Sequence, residues 1–212
     1  MKILFQGDSI TDASRDRSDC HNMGWGYCLY ASQAISARHP GECFEFINMA
    51  IGGNRTEDLV ARWQTDCIDF KPDVVSVMIG VNDTWHHAED RSWIPDREFE
   101  KNYRNILERT KNETGAKIIM LEQFLLDVPD KAYFREDLDP KLQITRRLAR
   151  EYADILIPID GAFAAASVEA VPESWAADGV HPTDAGARLI GRMYADAFDR
   201  LYMSLKYFGN CI

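Results

Sequence analysis

The stretch Val74-Val75-Ser76-Val77-Met78-Ile79, ending at Gly80-Val81-Asn82-Asp83, is a run of β-branched and apolar residues interrupted only by Ser76. A strand with one wet face alternates polar and apolar residues. A near-continuous apolar run suits a central strand covered on both faces, the usual state of a parallel sheet whose crossovers are helices. Lys71-Pro72-Asp73 breaks the chain ahead of it. Outward in both directions, short apolar segments alternate with longer amphipathic ones, which is the pattern of βα repeats.

Upstream, Ile3 to Phe5 reads as a first strand closed by Gly7. Helical spacing runs from about Gly24 to Arg38 and stops at His39-Pro40-Gly41, and Phe44 to Asn48 is a second strand leading into a Gly52-Gly53 turn. A helix from Thr56 to about Phe70 opens with Glu57 and Asp58, where the helix dipole favours acids. Downstream, a helix from Glu98 to about Asn112, a strand Lys117 to Leu121, a helix Lys141 to Tyr152, a strand Ile155 to Ile159 and a closing helix Thr183 to Tyr202 complete the series. The segment 122–140, with two prolines and many charges, reads as irregular, a lid or a pocket wall. These elements predict a three-layer α/β/α sandwich around a five-stranded parallel sheet of flavodoxin-like order 2-1-3-4-5. At 212 residues and 46% hydrophobic content, a single domain over 1–212 is expected.

In such sheets ligands bind beyond the carboxyl ends of the strands. Polar clusters stand there: Asp8-Ser9 after the first strand, Gly52-Gly53-Asn54 after the second, Asn82-Asp83 after the third. Asp178-Gly179-Val180-His181-Pro182, in the loop before the last helix, can fold over the same edge. A serine needs a base to attack a carbonyl, and a histidine needs an acceptor on its other ring nitrogen to hold the right tautomer. Ser9, His181 and Asp178 supply these three groups. The oxyanion of a tetrahedral intermediate needs donors as well, and the Ser9 N–H, the Gly53 N–H and the Asn82 amide are candidates.

The formal net charge of −10 argues against binding a nucleic-acid backbone and lends no overall help in holding a strongly anionic substrate. Five widely spaced cysteines (Cys20, Cys28, Cys43, Cys67 and Cys211) suggest neither a disulfide framework nor a thiolate zinc site, so reduced structural thiols are expected. Met1 to Phe5 runs straight into Gly7-Asp8, leaving no room for a signal peptide, and no apolar run approaches the roughly 18 residues of a membrane span. The chain therefore reads as cytoplasmic, with no membrane partner.

Four blocks in this order, Gly7-Asp8-Ser9-Ile10-Thr11, Gly53 within Asn48 to Asn54, Gly80-Val81-Asn82-Asp83 and Asp178-Gly179-Val180-His181-Pro182, resemble those of the SGNH hydrolases, also called GDSL esterases and lipases. The resemblance spans nearly the whole chain. It implies Ser9 as nucleophile, Asp178 and His181 completing a triad, an oxyanion hole of Ser9, Gly53 and Asn82, the flavodoxin-like fold, and no metal cofactor. The segments Ile47 to Trp63 and Lys71 to Trp85 are similar to those of carbohydrate acetylesterases, notably intracellular acetylxylan esterases. Two departures stand out. Arg55 follows the oxyanion glycine region where a small hydroxyl residue is expected, and Ala176-Ala177 separates Trp175 from Asp178 where a tryptophan next to the aspartate is expected.

The resemblance thus implies hydrolysis of short-chain, acetyl-type esters on a small molecule or an acetylated oligosaccharide, with a homo-oligomer as one form of the protein. Trp25, Tyr27, Trp85 and Trp175 are aromatics near the site in sequence and suit sugar faces, and Asp8 is a further candidate substrate contact. Alternatives within the family are lipase, lysophospholipase and thioesterase chemistry. From other classes, a metal-dependent phosphoesterase would draw on Asp8, Asp12, Asn82, Asp83, His86, His87, Asp178 and His181, although its Asp-x-His and Gly-Asn-His segments are absent. A non-catalytic sugar-binding module is the remaining alternative.

Overall fold

The computed structural model describes residues 1–208. Its sheet has the strand order β2-β1-β3-β4-β5, with β1 at Lys2–Gly7, β2 at Glu45–Asn48, β3 at Val74–Met78, β4 at Lys117–Leu121 and β5 at Ile155–Ile157. All four pairings are parallel, with Leu4 opposite Ile47 and Val75, and Val75 opposite Ile118. This is the expected flavodoxin-like order.

Side chains alternate across each strand, so one sheet feeds two cores. Ile3 and Phe5 of β1, Ile119 and Leu121 of β4 and Ile157 of β5 face one way, where they pack with α2 (Tyr27–Arg38), α7 (Ile159–Ala166) and α8 (Asp184–Phe208). Leu4, Val75, Val77, Ile118 and Met120 face the other way, against α3 (Thr56–Asp66), α5 (Asp96–Thr114) and α6 (Arg135–Tyr152). Every residue of β3 is buried, which accounts for the unbroken apolar run. Two short helices sit at strand ends, α1 (Ser9–Asp12) after β1 and α4 (Val81–Trp85) after β3. They are too short to show periodicity in sequence.

Several boundaries differ from expectation. The helix after β2 ends at Asp66 and continues as a separate 3₁₀ turn at Ile68–Phe70. The fifth strand stops at Ile157, because Pro158 has no N–H for a ladder and instead precedes α7. α6 begins at Arg135, so Pro140 lies inside a helix. Its start is held by contacts distant in sequence: the Arg135 guanidinium donates to Asp160 at 2.7 Å and to the Leu125 carbonyl. The first part of the segment ahead of it is core, with Phe124, Leu125, Leu126 and Val128 buried. Cys20, Cys28, Cys43 and Cys67 are free thiols, and Cys211 lies outside the described residues. No helix among the described residues is long and apolar enough to cross a membrane.

Candidate active site

Gly7 forces the turn from β1 into α1. A Cβ there would lie 2.3 Å from the Met78 carbonyl oxygen and 2.5 Å from Thr11 Oγ1, so only glycine lets the chain pass this close to β3. Asp8 then caps the short helix, its Oδ1 accepting the Ile10 N–H at 3.0 Å. Ser9 becomes the first helical residue, at the carboxyl end of the sheet.

The loop bearing Asp178 and His181 rests on the segment that was expected to be a lid. The Leu126 N–H donates to the Gly179 carbonyl at 2.9 Å, and the Gly179 N–H donates to the Ala176 carbonyl at 2.9 Å. Gly179 has φ +81°, and a Cβ on it would meet Val128 Cγ2 at 2.5 Å. Thr183 closes the loop as a cap, its Oγ1 accepting the Gly186 N–H at 3.3 Å where α8 begins. This bed carries the histidine toward Ser9. Ser9 Oγ lies 2.8 Å from His181 Nε2, and His181 Nδ1 lies 2.7 Å from Asp178 Oδ2.

Asp178 also accepts the backbone N–H of His181 at 2.7 Å and of Val180 at 3.0 Å, both on Oδ1. Burial alone would raise this carboxyl; the hydrogen bonds from the His181 ring and the two backbone groups outweigh it and hold Asp178 below the usual carboxylate range. A carboxylate facing Nδ1 requires the proton on that nitrogen, which leaves Nε2 as the acceptor for the Ser9 hydroxyl.

The two oxyanion candidates from the other strands converge on the same edge. Asp12 Oδ2 accepts the Gly52 N–H at 2.8 Å, tying the Gly52-Gly53 turn to α1. A Cβ on Gly52 would sit 3.6 Å from Ser9 Cβ, so the turn lies against the serine. Asn48 Nδ2 donates to the Thr11 carbonyl at 2.8 Å and Arg15 Nε to the Ala50 carbonyl at 3.0 Å, stitching the same loop further. Asn82 donates through Nδ2 to the Asn54 carbonyl at 3.1 Å, which leaves its second amide hydrogen available. Its helix α4 is anchored by its next two residues. Asp83 Oδ2 accepts the Thr56 N–H at 3.1 Å, while Thr84 Oγ1 donates to Asp137 at 2.7 Å. The fully buried Lys141 pairs with the same Asp137 and donates to the Ile94 carbonyl at 3.2 Å.

The aromatic candidates divide. Trp25 is 78% exposed and lines a cleft of about 720 Å³ together with Ser9, His181 and Gly52. The Trp85 ring stands 5.7 Å from the His181 ring, with Lys131 Nζ 5.2 Å from its own centroid. The other three candidates engage groups of the protein itself. Tyr27 is 1% exposed between Phe5 and Tyr194, its hydroxyl 3.1 Å from Thr11 Oγ1, and is a core residue that also contributes to the lining of the Ser9 cleft. Trp175 turns its indole N–H to the Ala166 carbonyl at 3.2 Å and packs on the core. Asp8, 1% exposed, caps its own helix. Sequence reasoning weighed Asp12 only as a metal ligand and missed Arg15 and Arg17 in the same cleft, as well as Leu126 and Val128 beneath the histidine loop. The run of alternating charge just after the Ser9 turn was the available signal for the two arginines.

Burial pushes the Asp8 carboxyl up to about 7, against the lowering effect of its bond from Ile10 and of His181. The folded protein therefore holds this proton more tightly than the unfolded chain, whose aspartate titrates near 3.9. Stability contributed by the protonated form is complete below that value and declines as pH rises toward 7. Asp8→Asn keeps a capping oxygen and removes the buried charge. Urea unfolding of this variant should show a gain over the parent that grows between pH 4 and pH 7 and is level above; a gain that shrinks with pH would contradict this account.

The acids and histidines available to a metal clamp take separate partners: Asp8 its own helix, Asp12 Gly52 and Arg17, Asp83 Thr56, Asp178 His181. Among the described residues no group of three His, Cys, Asp or Glu side chains converges on one point.

Residues 5–189 match the GDSL-like lipase/acylhydrolase family, and the chain belongs to it. An acetylxylan esterase of Geobacillus stearothermophilus is 31% identical over 202 residues, covering 91% of each chain. Among solved structures, a protein described as a GDSL-like lipase from Parabacteroides merdae is 33% identical with TM-score 0.88, covering 93% of this chain and 95% of its own. The structure of Axe2, an acetylxylan esterase from Geobacillus stearothermophilus, is 30% identical with TM-score 0.85, covering 92% and 93%. The chain is thus a carboxylic ester hydrolase.

Proposed function

We propose that this protein hydrolyses acetyl esters of carbohydrate through an acyl-enzyme formed on Ser9. The observation that carries the reading is the unbroken hydrogen-bond path from Ser9 Oγ through the His181 ring to Asp178, with links of 2.8 and 2.7 Å. In this mechanism His181 Nε2 takes the hydroxyl proton as Ser9 Oγ bonds to the acetyl carbon, and the carbonyl electrons move onto oxygen. The Ser9 and Gly53 N–H groups and the Asn82 amide receive that negative charge. When the tetrahedral intermediate collapses, the C–O bond to the sugar breaks and His181 returns the proton to the leaving alcohol. Water then repeats the sequence on the acetyl-serine and releases acetate. Asp178 holds the imidazole in the tautomer that accepts from Ser9 and stabilises the imidazolium between steps.

The carbohydrate part of the proposal rests on Trp25 and on likeness. An indole 78% exposed at the rim of the Ser9 cleft is a flat apolar surface, and such rings suit the apolar faces of sugars. A similar protein is described as an acetyl-xylooligosaccharide esterase. The test is a panel of 4-nitrophenyl esters from acetate to octanoate beside acetylated xylo-oligosaccharides, with a serine-directed phosphonate to mark the nucleophile. Turnover should be highest on the acetyl compounds, and the phosphonate should modify Ser9. A preference for the octanoyl ester would move the reading to lipase chemistry.

A further inference from the structure

The net charge of −10 disguises the local composition of the Ser9 cleft. Among the residues lining it, Asp12 is the one acid, against two arginines, Arg15 and Arg17. Arg17 spends Nε and Nη2 on the single oxygen Asp12 Oδ2, which keeps the outer part of a half-exposed guanidinium available. A point 3.6 Å from Ser9 Cβ lies 3.5 Å from Arg17 Nη2, so the serine and the guanidinium flank the same gap above Gly52.

Arg15 is stranger. It is 7% exposed, its Nε donates to the Ala50 carbonyl, and its Nη1 is buried with no acceptor among the described residues. Neither does any carboxylate among the described residues pair with its guanidinium. Asp12 meets only the Arg15 backbone N–H, at 3.3 Å. Burial pushes this guanidinium below its ordinary value, with Asp12 opposing and Arg17 and Arg62 adding to the shift. Arg15 Nη1 is closed to solvent, so an anion would not bond it directly. Held by the exposed Arg17 guanidinium in the same cleft, that anion would lie in the field of the buried charge and offset part of its cost. Guanidinium groups hold planar carboxylates better than any other side chain does, by paired charge-assisted hydrogen bonds.

We infer that the Arg15–Arg17 pair in the Ser9 cleft makes this protein selective for acetyl esters whose sugar carries a carboxylate, as a uronic acid does. The inference rests on the hydrolase reading above and names the substrate class of the same site. With Trp25 on the rim for the ring face and the arginines for the acid, the cleft would hold an acetylated acidic sugar with its ester toward Ser9.

The test compares acetylated methyl glucuronide with acetylated methyl glucoside, which differ in one carboxylate. The parent protein should show kcat/KM about tenfold higher for the acidic ester at low salt, as one charge-assisted contact provides. The preference should shrink in about 0.5 M salt, where exposed charges are screened. Arg17→Gln should lower kcat/KM at least tenfold more for the acidic ester than for the neutral one, and Arg17→Lys should restore part of the difference. In parallel, the Ser9→Ala protein should bind free glucuronate more tightly than glucose by calorimetry, a readout independent of turnover. Equal turnover of the two esters, or an Arg17→Gln loss equal for both, overturns the acidic-sugar inference and leaves the hydrolase reading standing. No turnover of either ester together with no phosphonate labelling of Ser9 overturns both.

Discussion

Ser9→Ala is expected to lower kcat for 4-nitrophenyl acetate by roughly 10⁵- to 10⁶-fold, the range found when the nucleophile of a serine triad is removed. The substitution deletes one oxygen. That oxygen's partner in the structure is His181 Nε2, while the fold of the turn depends on Gly7 and on the Asp8 cap, both of which remain. Alanine is also at home in a first helical turn. The variant should therefore melt within a few degrees of the parent and give the same circular dichroism spectrum, so the loss of turnover reads as chemistry. Under the proposed mechanism, residual rate above the water background should persist, because the Gly53 and Asn82 donors would still polarise a bound carbonyl. A Ser9→Ala protein as active as the parent would falsify the proposed mechanism.

The second large effect is Asp178→Asn, and it tests tautomer control rather than nucleophilicity. Asparagine can keep its carbonyl oxygen where Oδ1 stands, still accepting the N–H groups of Val180 and His181, so the loop has no reason to move. Its NH₂ then faces His181 Nδ1 in place of the carboxylate oxygen Oδ2. Two donors cannot share that contact. The ring gives up the proton on Nδ1 and carries it on Nε2, which now points a donor at Ser9 and has no lone pair for the hydroxyl proton. Where the aspartate is buried, this exchange costs roughly 10⁴-fold. Here the carboxylate is 38% exposed, and water can accept from Nδ1–H in a fraction of molecules. The expected loss in kcat is thus on the order of 10³- to 10⁴-fold, smaller than that of His181→Ala. Equal losses for the two variants would mean that Asp178 does more than orient the ring.

The structural elements that sequence reasoning found and those it missed differ in one respect. β3 was legible because burial on both faces removes polar alternation, a property of the strand itself. The first-turn acids of α3 and the glycines at strand ends are local signals of the same kind. The first part of α6, Arg135 to Pro140, was not legible, whereas the rest from Lys141 was. Pro140 argues locally against a helix, and what holds the first turn is Arg135 reaching the Leu125 carbonyl and Asp160, the second a contact that exists only after α7 has docked. Likewise Phe124, Leu125, Leu126 and Val128 lie among charges and a proline, and their role as the bed of the histidine loop depends on Gly179 lying against them.

The candidate site follows the same division. Ser9, Gly53, Asn82, Asp178 and His181 could be proposed from the sequence because each sits at a strand end or in the loop before the last helix, and parallel α/β sheets gather such positions along one edge. Which aromatic faces a ligand was not readable. Trp25 and Tyr27 are two residues apart, yet one stands 78% exposed on the cleft rim and the other 1% exposed beneath it. Helix α2 begins at Tyr27 and turns its first residue inward between Phe5 and Tyr194, while Trp25 remains in the loop outside.

By itself, then, the sequence determined the sheet, its strand order and the chemical types gathered at its carboxyl edge, since these follow from periodicity, strand-end glycines and topology. The tertiary structure alone decided what surrounds those groups: Asp12 claiming Gly52, Arg15 left buried without an acid, Trp25 out and Tyr27 in. Those outcomes depend on which of several competing partners each side chain reaches once the chain is packed. Charge pairing and burial are properties of neighbours brought together from distant segments, and no local pattern encodes them.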